Sequence, residues 1–186
     1  MCGRYVTEED TSIDMKKLYT DLRLAYPDVK LKSGEIFPTD TVPILCGEDC
    51  LPVPGKWGFQ GYNNSLLINA RAETALTKPT FHDCVLYRRC VIPTNGYYEW
   101  SKSKEKYRFN HADSSMLYLA GLYRQDTDGI HFVILTTNSN ESCNIHPRMP
   151  LILPRADIGR WAFDTSSAIQ YLSAQMPALV MSAEIS

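Results

Sequence analysis

The 186-residue chain has no apolar run near the roughly 20 residues that a membrane-spanning helix needs. Its opening, Met1-Cys2-Gly3-Arg4-Tyr5-Val6, has no apolar stretch of the secretory kind. These two absences point to a cytoplasmic protein with no membrane partner. Repeats, low-complexity tracts and long linkers are also missing, which excludes solenoid and disordered architectures. An excess of positive charge is lacking: 19 Lys and Arg against 21 Asp and Glu leave a formal net charge of −2. Bulk attraction to nucleic acid or anionic lipid is therefore unsupported, and any anion site has to be local. Metal-ligand spacing is missing too. Cys46 and Cys50 form a C-x3-C pair without a second pair at ligand distance, so neither a metal nor another cofactor is expected.

What is present suits a globular chain. Hydrophobic residues make up 44% and charged residues 22%, and the length fits one domain over residues 1–186, monomeric by default. With no export signal, the six cysteines read as reduced thiols. Cys46 and Cys50 read as thiols flanking a hairpin turn at Gly47-Glu48-Asp49, and Cys84 and Cys90 as small buried residues. Residues 2 to 6 suit a strand. Leu18, Leu22 and Ala25, at i, i+4 and i+7, suit one face of a helix that ends before Pro27. Strands are expected over residues 42 to 46, 50 to 57 and 66 to 70, with a helix near 80 to 87 after Pro79. From Arg89 onward the chain reads as strands at 89 to 92, 97 to 101, 106 to 111, 116 to 124 and 130 to 137. Turns at Asn95-Gly96, Asp113-Ser114 and 126 to 129 separate them. Two helices near 156 to 162 and 166 to 173 and a strand near 178 to 182 complete the tail. Close-spaced antiparallel strands with a few helices imply an α+β fold: a barrel-like, bent antiparallel sheet with peripheral helices.

Cys2 differs from the other cysteines by position. Its small side chain makes the start methionine removable, which would leave an amine and a thiol two carbons apart. In unperturbed peptides these titrate near ~8 and ~8.5, so both are partly nucleophilic at neutral pH. Such a 1,2-aminothiol condenses with an aldehyde to an imine and then closes onto it as a five-membered thiazolidine. On its own, Cys2 reads equally as an accident of the start site. Further blocks accompany it. Asn69-Ala70-Arg71-Ala72-Glu73-Thr74 joins an amide, a cation and a carboxylate at a strand end. Arg88-Arg89-Cys90 puts two cations before a strand. Gly96-Tyr97-Tyr98-Glu99-Trp100 sets a carboxylate among aromatics, where burial would raise its pKa towards neutrality. His146-Pro147-Arg148-Met149-Pro150 adds an imidazole beside an arginine. Singly, each has a plain reading: Glu99 as a surface strand residue, His146 as a loop histidine, the arginines as solvated, Tyr98 as core.

Taken together and in this order, the blocks resemble the SRAP (SOS response-associated peptidase) family from Cys2 to about Pro150. The resemblance implies a protein that shields abasic sites in single-stranded DNA through a thiazolidine between the terminal cysteine and the ring-opened sugar. Carried over by motif, Cys2 is the nucleophile and Asn69 holds the terminal amine and the adduct. Glu99 moves protons, and His146 assists sugar opening or a lyase side reaction. Arg71 and Arg148 hold phosphates, with Arg4, Arg88 and Arg89 as further candidates and Trp100 as a base-stacking surface. Self-processing at Met1 would account for a peptidase label. Family members usually carry a longer segment with a second tryptophan after the Trp57-Gly58 position. Here Phe59-Gln60-Gly61-Tyr62-Asn63-Asn64 is short and polar, so weak, salt-sensitive noncovalent DNA binding is expected. Two other readings stay open: an amidohydrolase with an N-terminal nucleophile, and a noncovalent reader of modified DNA.

Overall fold

The computed structural model describes residues 2–113 and 115–184. Met1, whose removal the terminal-cysteine expectation requires, lies outside the described residues, as does Ser114 of the expected Asp113-Ser114 turn. The chain begins with β1 (Arg4–Thr7), α1 (Ile13–Ala25), β2 (Gly34–Ile36), β3 (Thr41–Cys46) and β4 (Leu51–Trp57). The short strands β5 (Phe59–Gln60), β6 (Leu66–Leu67) and β7 (Asn69–Arg71) follow, then α2 (Ala72–Ala75) and α3 (Pro79–Tyr87). Next come β8 (Arg89–Thr94), β9 (Gly96–Trp100), β10 (Lys106–Asn110), β11 (Leu117–Asp126) and β12 (Gly129–Asn138). The tail holds β13 (Arg148–Pro150), β14 (Ile152–Leu153), α4 (Ile158–Phe163), α5 (Thr165–Tyr171) and β15 (Val180–Ala183).

Five strands close on themselves in the order β12-β4-β3-β8-β11 and back to β12. Four of these five pairings are antiparallel; β12 with β4 is parallel, as is the added pairing of β7 to β12. The expected antiparallel, barrel-like sheet thus carries two parallel pairings; the β4-to-β12 connection runs through α2, α3 and seven strands rather than a turn. A second sheet, β15-β10-β9-β1-β2, lies beside the ring.

Alternation along the strands builds two cores. Ile44, Cys46, Cys90, Ile92, Leu119, Phe132 and Ile134 face one cluster, which Trp57 fills and which continues to Cys2, Tyr5, Tyr97 and Phe109 of the second sheet. Val91, Ala120, Leu122, Val133 and Leu135 face the other, which is covered by Phe81, Val85, Trp161 and Ala168 from the helices. Strand β8 is buried along its whole length because both its faces are covered. Helix α1 buries Met15, Tyr19 and Leu22, whereas Ala25 is exposed and Leu18 half-buried. The expected face is thus rotated by part of a turn. Tyr19 supplies the reason: its hydroxyl donates to Lys32 O at 2.7 Å, which draws that side chain inward.

Candidate active site

Strand β9 carries two sets of side chains on opposite faces. Tyr97 and Glu99 point towards the core that holds Cys2, and Tyr98 and Trp100 point the other way. Glu99 is buried, so its surface-strand reading is excluded. Cys2, which precedes β1, is fully buried in the same cluster. Asn69, at the start of β7, donates from Nδ2 to Cys2 O at 2.9 Å. Its Oδ1 is buried and has no hydrogen-bond partner among the described residues, so an acceptor stands ready beside Cys2. His146, just before β13, brings Nδ1 to 3.9 Å from Glu99 Oε1. Four residues from four separate segments therefore converge on one spot.

The electrostatics of this spot follow from its dryness. Burial pushes the Glu99 carboxyl above its ordinary range, and nearby His146 opposes the shift only in part. Burial, and then the charge of Glu99, push the Cys2 thiol well above the usual thiol range. The thiol thus needs a base before it can attack. His146 Nδ1 lies 3.0 Å from both the backbone N–H and the carbonyl oxygen of Arg148, so the backbone at the start of β13 fixes the orientation of the ring.

The arginines divide sharply. Arg71 shares a face of β7 with Asn69, is exposed, and makes no ion pair among the described residues. Arg148 is committed: its Nη1 and Nη2 donate to Glu73 at 2.6 and 2.9 Å, and it also bonds Asn138 Oδ1 and the Thr136 carbonyl. With its charge matched by Glu73, it braces the His146 segment against α2. Arg4 pairs with Glu35 at 3.1 Å and lies 3.6 Å over the Phe37 ring, on the outer face near Trp100. Arg88 and Arg89 turn towards the protein at the end of α3. Arg89 is buried and donates to Val85 O, Leu86 O and Trp161 O at 2.6–2.7 Å, satisfying the last carbonyls of α3 and α4. Arg88 lies half-buried at the end of α3, with Nη2 donating to Cys84 Sγ at 3.8 Å. The sequence placed two cations before a strand but could not show that a helix end would need them.

The outer face also holds residues that pattern reading missed. Lys106 stands opposite Trp100 in the β9–β10 hairpin, 3.9 Å over the Tyr98 ring, and shares Glu35 with Arg4. Pairing the strands across the 101–105 turn would have found it. Phe37 is exposed beside Arg4. The short polar segment after Gly58 folds as the β5–β6 hairpin and leaves Tyr62 almost wholly exposed at its tip. A cavity of about 710 Å³ lies elsewhere, between the start of α1, β14 and residues 174–177, and none of the site residues lines it. Among the described residues, no group of three or more His, Cys, Asp or Glu could hold a metal ion, and no helix is long and apolar enough to cross a membrane.

The profile of the family described as SOS response associated peptidase (SRAP) matches residues 1–184. The chain belongs to the SRAP family. It is 35% identical over 116 residues to the abasic site processing protein YoaM of Bacillus subtilis, a match covering 57% of this chain and 51% of YoaM. It is 25% identical over 175 residues to the abasic site processing protein YedK of Escherichia coli, covering 87% of this chain and 79% of YedK. The match thus spans about half the length of the Bacillus relatives. A crystal structure from Bacteroides thetaiotaomicron superposes with a TM-score of 0.78 at 21% identity, covering 98% of this chain and 91% of that one. One from Bordetella bronchiseptica reaches 0.74 at 21% identity, covering 99% of this chain and all of that one. These likenesses show the α+β barrel fold of SRAP proteins.

Proposed function

We propose that this SRAP protein processes abasic sites in single-stranded DNA by forming a covalent thiazolidine through Cys2 once Met1 is removed. The observation that carries the reading is the convergence of Asn69, Glu99 and His146 around the buried Cys2. The names of the relatives give the substrate class.

The steps assign each residue a task. His146 moves the proton that lets the closed deoxyribose open to its aldehyde. The Cys2 amine attacks that carbon, and Glu99, whose affinity for a proton is raised by burial, protonates the departing hydroxyl as water leaves and the imine forms. Asn69 steers the amine or the sugar hydroxyl with its spare Oδ1. Glu99, now a carboxylate, takes the thiol proton, and the sulfur closes onto the imine carbon. Reversal uses the same groups in the opposite order. A buried acid whose pKa lies nearer neutrality serves both directions, which is why burial of Glu99 matters more than its charge. Arg71 faces the same opening and holds a flanking phosphate.

The test mixes the processed protein with single-stranded DNA carrying one abasic site and resolves the products on a denaturing gel. A shifted band that disappears on Cys2→Ala, or on blocking the terminal amine, is the expected result. Association that survives Cys2→Ala with no denaturant-stable band in the wild type would favour a noncovalent reader instead.

A further inference from the structure

The barrel holds a second pair of nucleophilic groups that the proposed reaction does not use. Cys46 and Cys90 stand directly opposite each other across the antiparallel β3–β8 pair. Both side chains face the barrel interior, in the same cluster. Residues opposite each other in an antiparallel pair have Cα atoms about 4.5–5.5 Å apart, within the span that a disulfide bridges. Gly121 of β11 lies on the other side of Cys90, where a Cβ would approach Cys90 Sγ to 2.8 Å. The missing side chain gives that sulfur room to turn.

We propose that Cys46 and Cys90 are an oxidation site, closing as a cross-strand disulfide when a peroxide reaches the end of the barrel. Strands β3 and β8 are joined through just two register pairs, Leu45↔Val91 and Cys46↔Cys90, the shortest seam of the ring. The cysteine pair ends that seam, beside the 47–50 turn. A short ladder end opens at a lower free energy than the strands around it, which gives a small oxidant its path. Burial, and then the neighbouring Cys46 thiol, push the Cys90 thiol well above the usual range, so the reaction waits on that opening and is slow at rest.

The chemistry balances with peroxide as the oxidant. The Cys46 sulfur attacks one peroxide oxygen; an S–O bond forms, the O–O bond breaks and water leaves. The Cys90 sulfur then attacks the Cys46 sulfenic sulfur. The S–S bond forms, the S–O bond breaks, and hydroxide leaves as water with the Cys90 proton. Two thiols lose two electrons in all, and one peroxide becomes two waters.

Cys2 and Cys143 share the same cluster, where Cys143 Sγ accepts from the Tyr97 hydroxyl at 3.1 Å. Cys50 donates from Sγ to Ile158 O of α4 at 3.8 Å. Cys84 belongs to the core on the opposite face of β8. The test exposes the full chain to hydrogen peroxide, traps residual thiols under denaturing conditions, and maps a nonreducing digest by mass. The expected product is 2 Da lighter, with the peptides of Cys46 and Cys90 joined in the wild type and in Cys50→Ala/Cys84→Ala. It should melt about 5–10 °C above the reduced form, because the bond staples the seam with the fewest register pairs. Loss of the product in Cys46→Ala and in Cys90→Ala separately supports the pair. Wild-type protein whose Cys46 and Cys90 both remain alkylatable, or a link from Cys46 to Cys50, overturns the proposal. The readout does not depend on DNA, so its failure leaves the function proposed for Cys2 untouched.

Discussion

The two faces of β9 are one residue apart in sequence and opposite in chemistry. Inward, Glu99 lies in a dry cluster with Cys2, where burial dominates and shifts proton affinities. Outward, Tyr98 and Trp100 meet Arg4, Lys106 and Phe37, where two cations share Glu35 and two large rings stay exposed. Under the proposed function, the first face makes the bond and the second holds a flexible polyanion with bases. A strand gives this division through its two-residue period alone. Under the proposed function, adjacent motif residues, Glu99 and Trp100, serve separable tasks. A variant on one face should leave the other working.

The largest effect is expected at Cys2. Cys2→Ala should abolish the denaturant-stable band while changing affinity for intact single-stranded DNA less than about twofold, since exposed surface contacts carry that affinity. Gel shift under native and denaturing conditions reads both. If native binding fell with the covalent band, the two faces would not be separable.

Glu99→Gln comes next, with crosslink formation and reversal both slower by about 10²-fold, the usual scale for a lost general acid–base. It also has a stability signature. Burial raises the folded-state pKa of Glu99 above its unfolded value. Protonated Glu99 therefore contributes stability that is complete below the unfolded pKa and is lost as pH rises through the raised folded value. Glutamine does not titrate, so melts from acid to neutral pH should show the wild type losing ground to Glu99→Gln as pH increases. A constant difference would mean that Glu99 titrates normally and is no proton shuttle.

Arg89 tests a region that belongs to neither face. Arg89→Met leaves the Val85, Leu86 and Trp161 carbonyls without their donor and should cost about 2–4 kcal/mol. Chemical denaturation reads the loss. Below the transition, the crosslink rate and DNA affinity should stay at wild-type values. A fall in affinity with unchanged stability would restore Arg89 to the DNA surface.

Much of this was legible in the sequence, for physical reasons that differ by residue. Strand and helix positions followed from periodicity and from turn residues such as Gly47 and Pro79, and they lie within a few residues of their expected places. Cys2 drew notice by its place next to the start residue, and Glu99 and His146 by the aromatic and proline-rich company of their motifs. The roles of the arginines were not. A guanidinium is equally at home on phosphate, on a carboxylate or on a helix end, and only the fold decides. Arg89 went to helix carbonyls and Arg148 to Glu73, and Arg71 was left exposed. The parallel β12–β4 pairing that closes the expected barrel was hidden, because it joins segments some 75 residues apart and leaves no local pattern.

The smallest expected effect lies on the outer face and is the most direct test of the comparison. Trp100 is partly exposed at the end of β9, within 6.0 Å of both Lys106 Nζ and the Arg4 guanidinium. A base stacked on an exposed ring contributes about 1–3 kcal/mol, and here the neighbouring cations already occupy part of the ring's surroundings, which favours the low end. Trp100→Ala should therefore weaken binding to intact single strands about fivefold, measured by fluorescence anisotropy at fixed salt. The affinity of both proteins should fall together as salt increases, because Arg4 and Lys106 remain. At saturating abasic DNA the crosslink rate of Trp100→Ala should equal that of the wild type, since Glu99 and Cys2 lie across the sheet from the change. A slower rate at saturation would show that the outward face feeds the inward one, and that the strand does not keep the two apart.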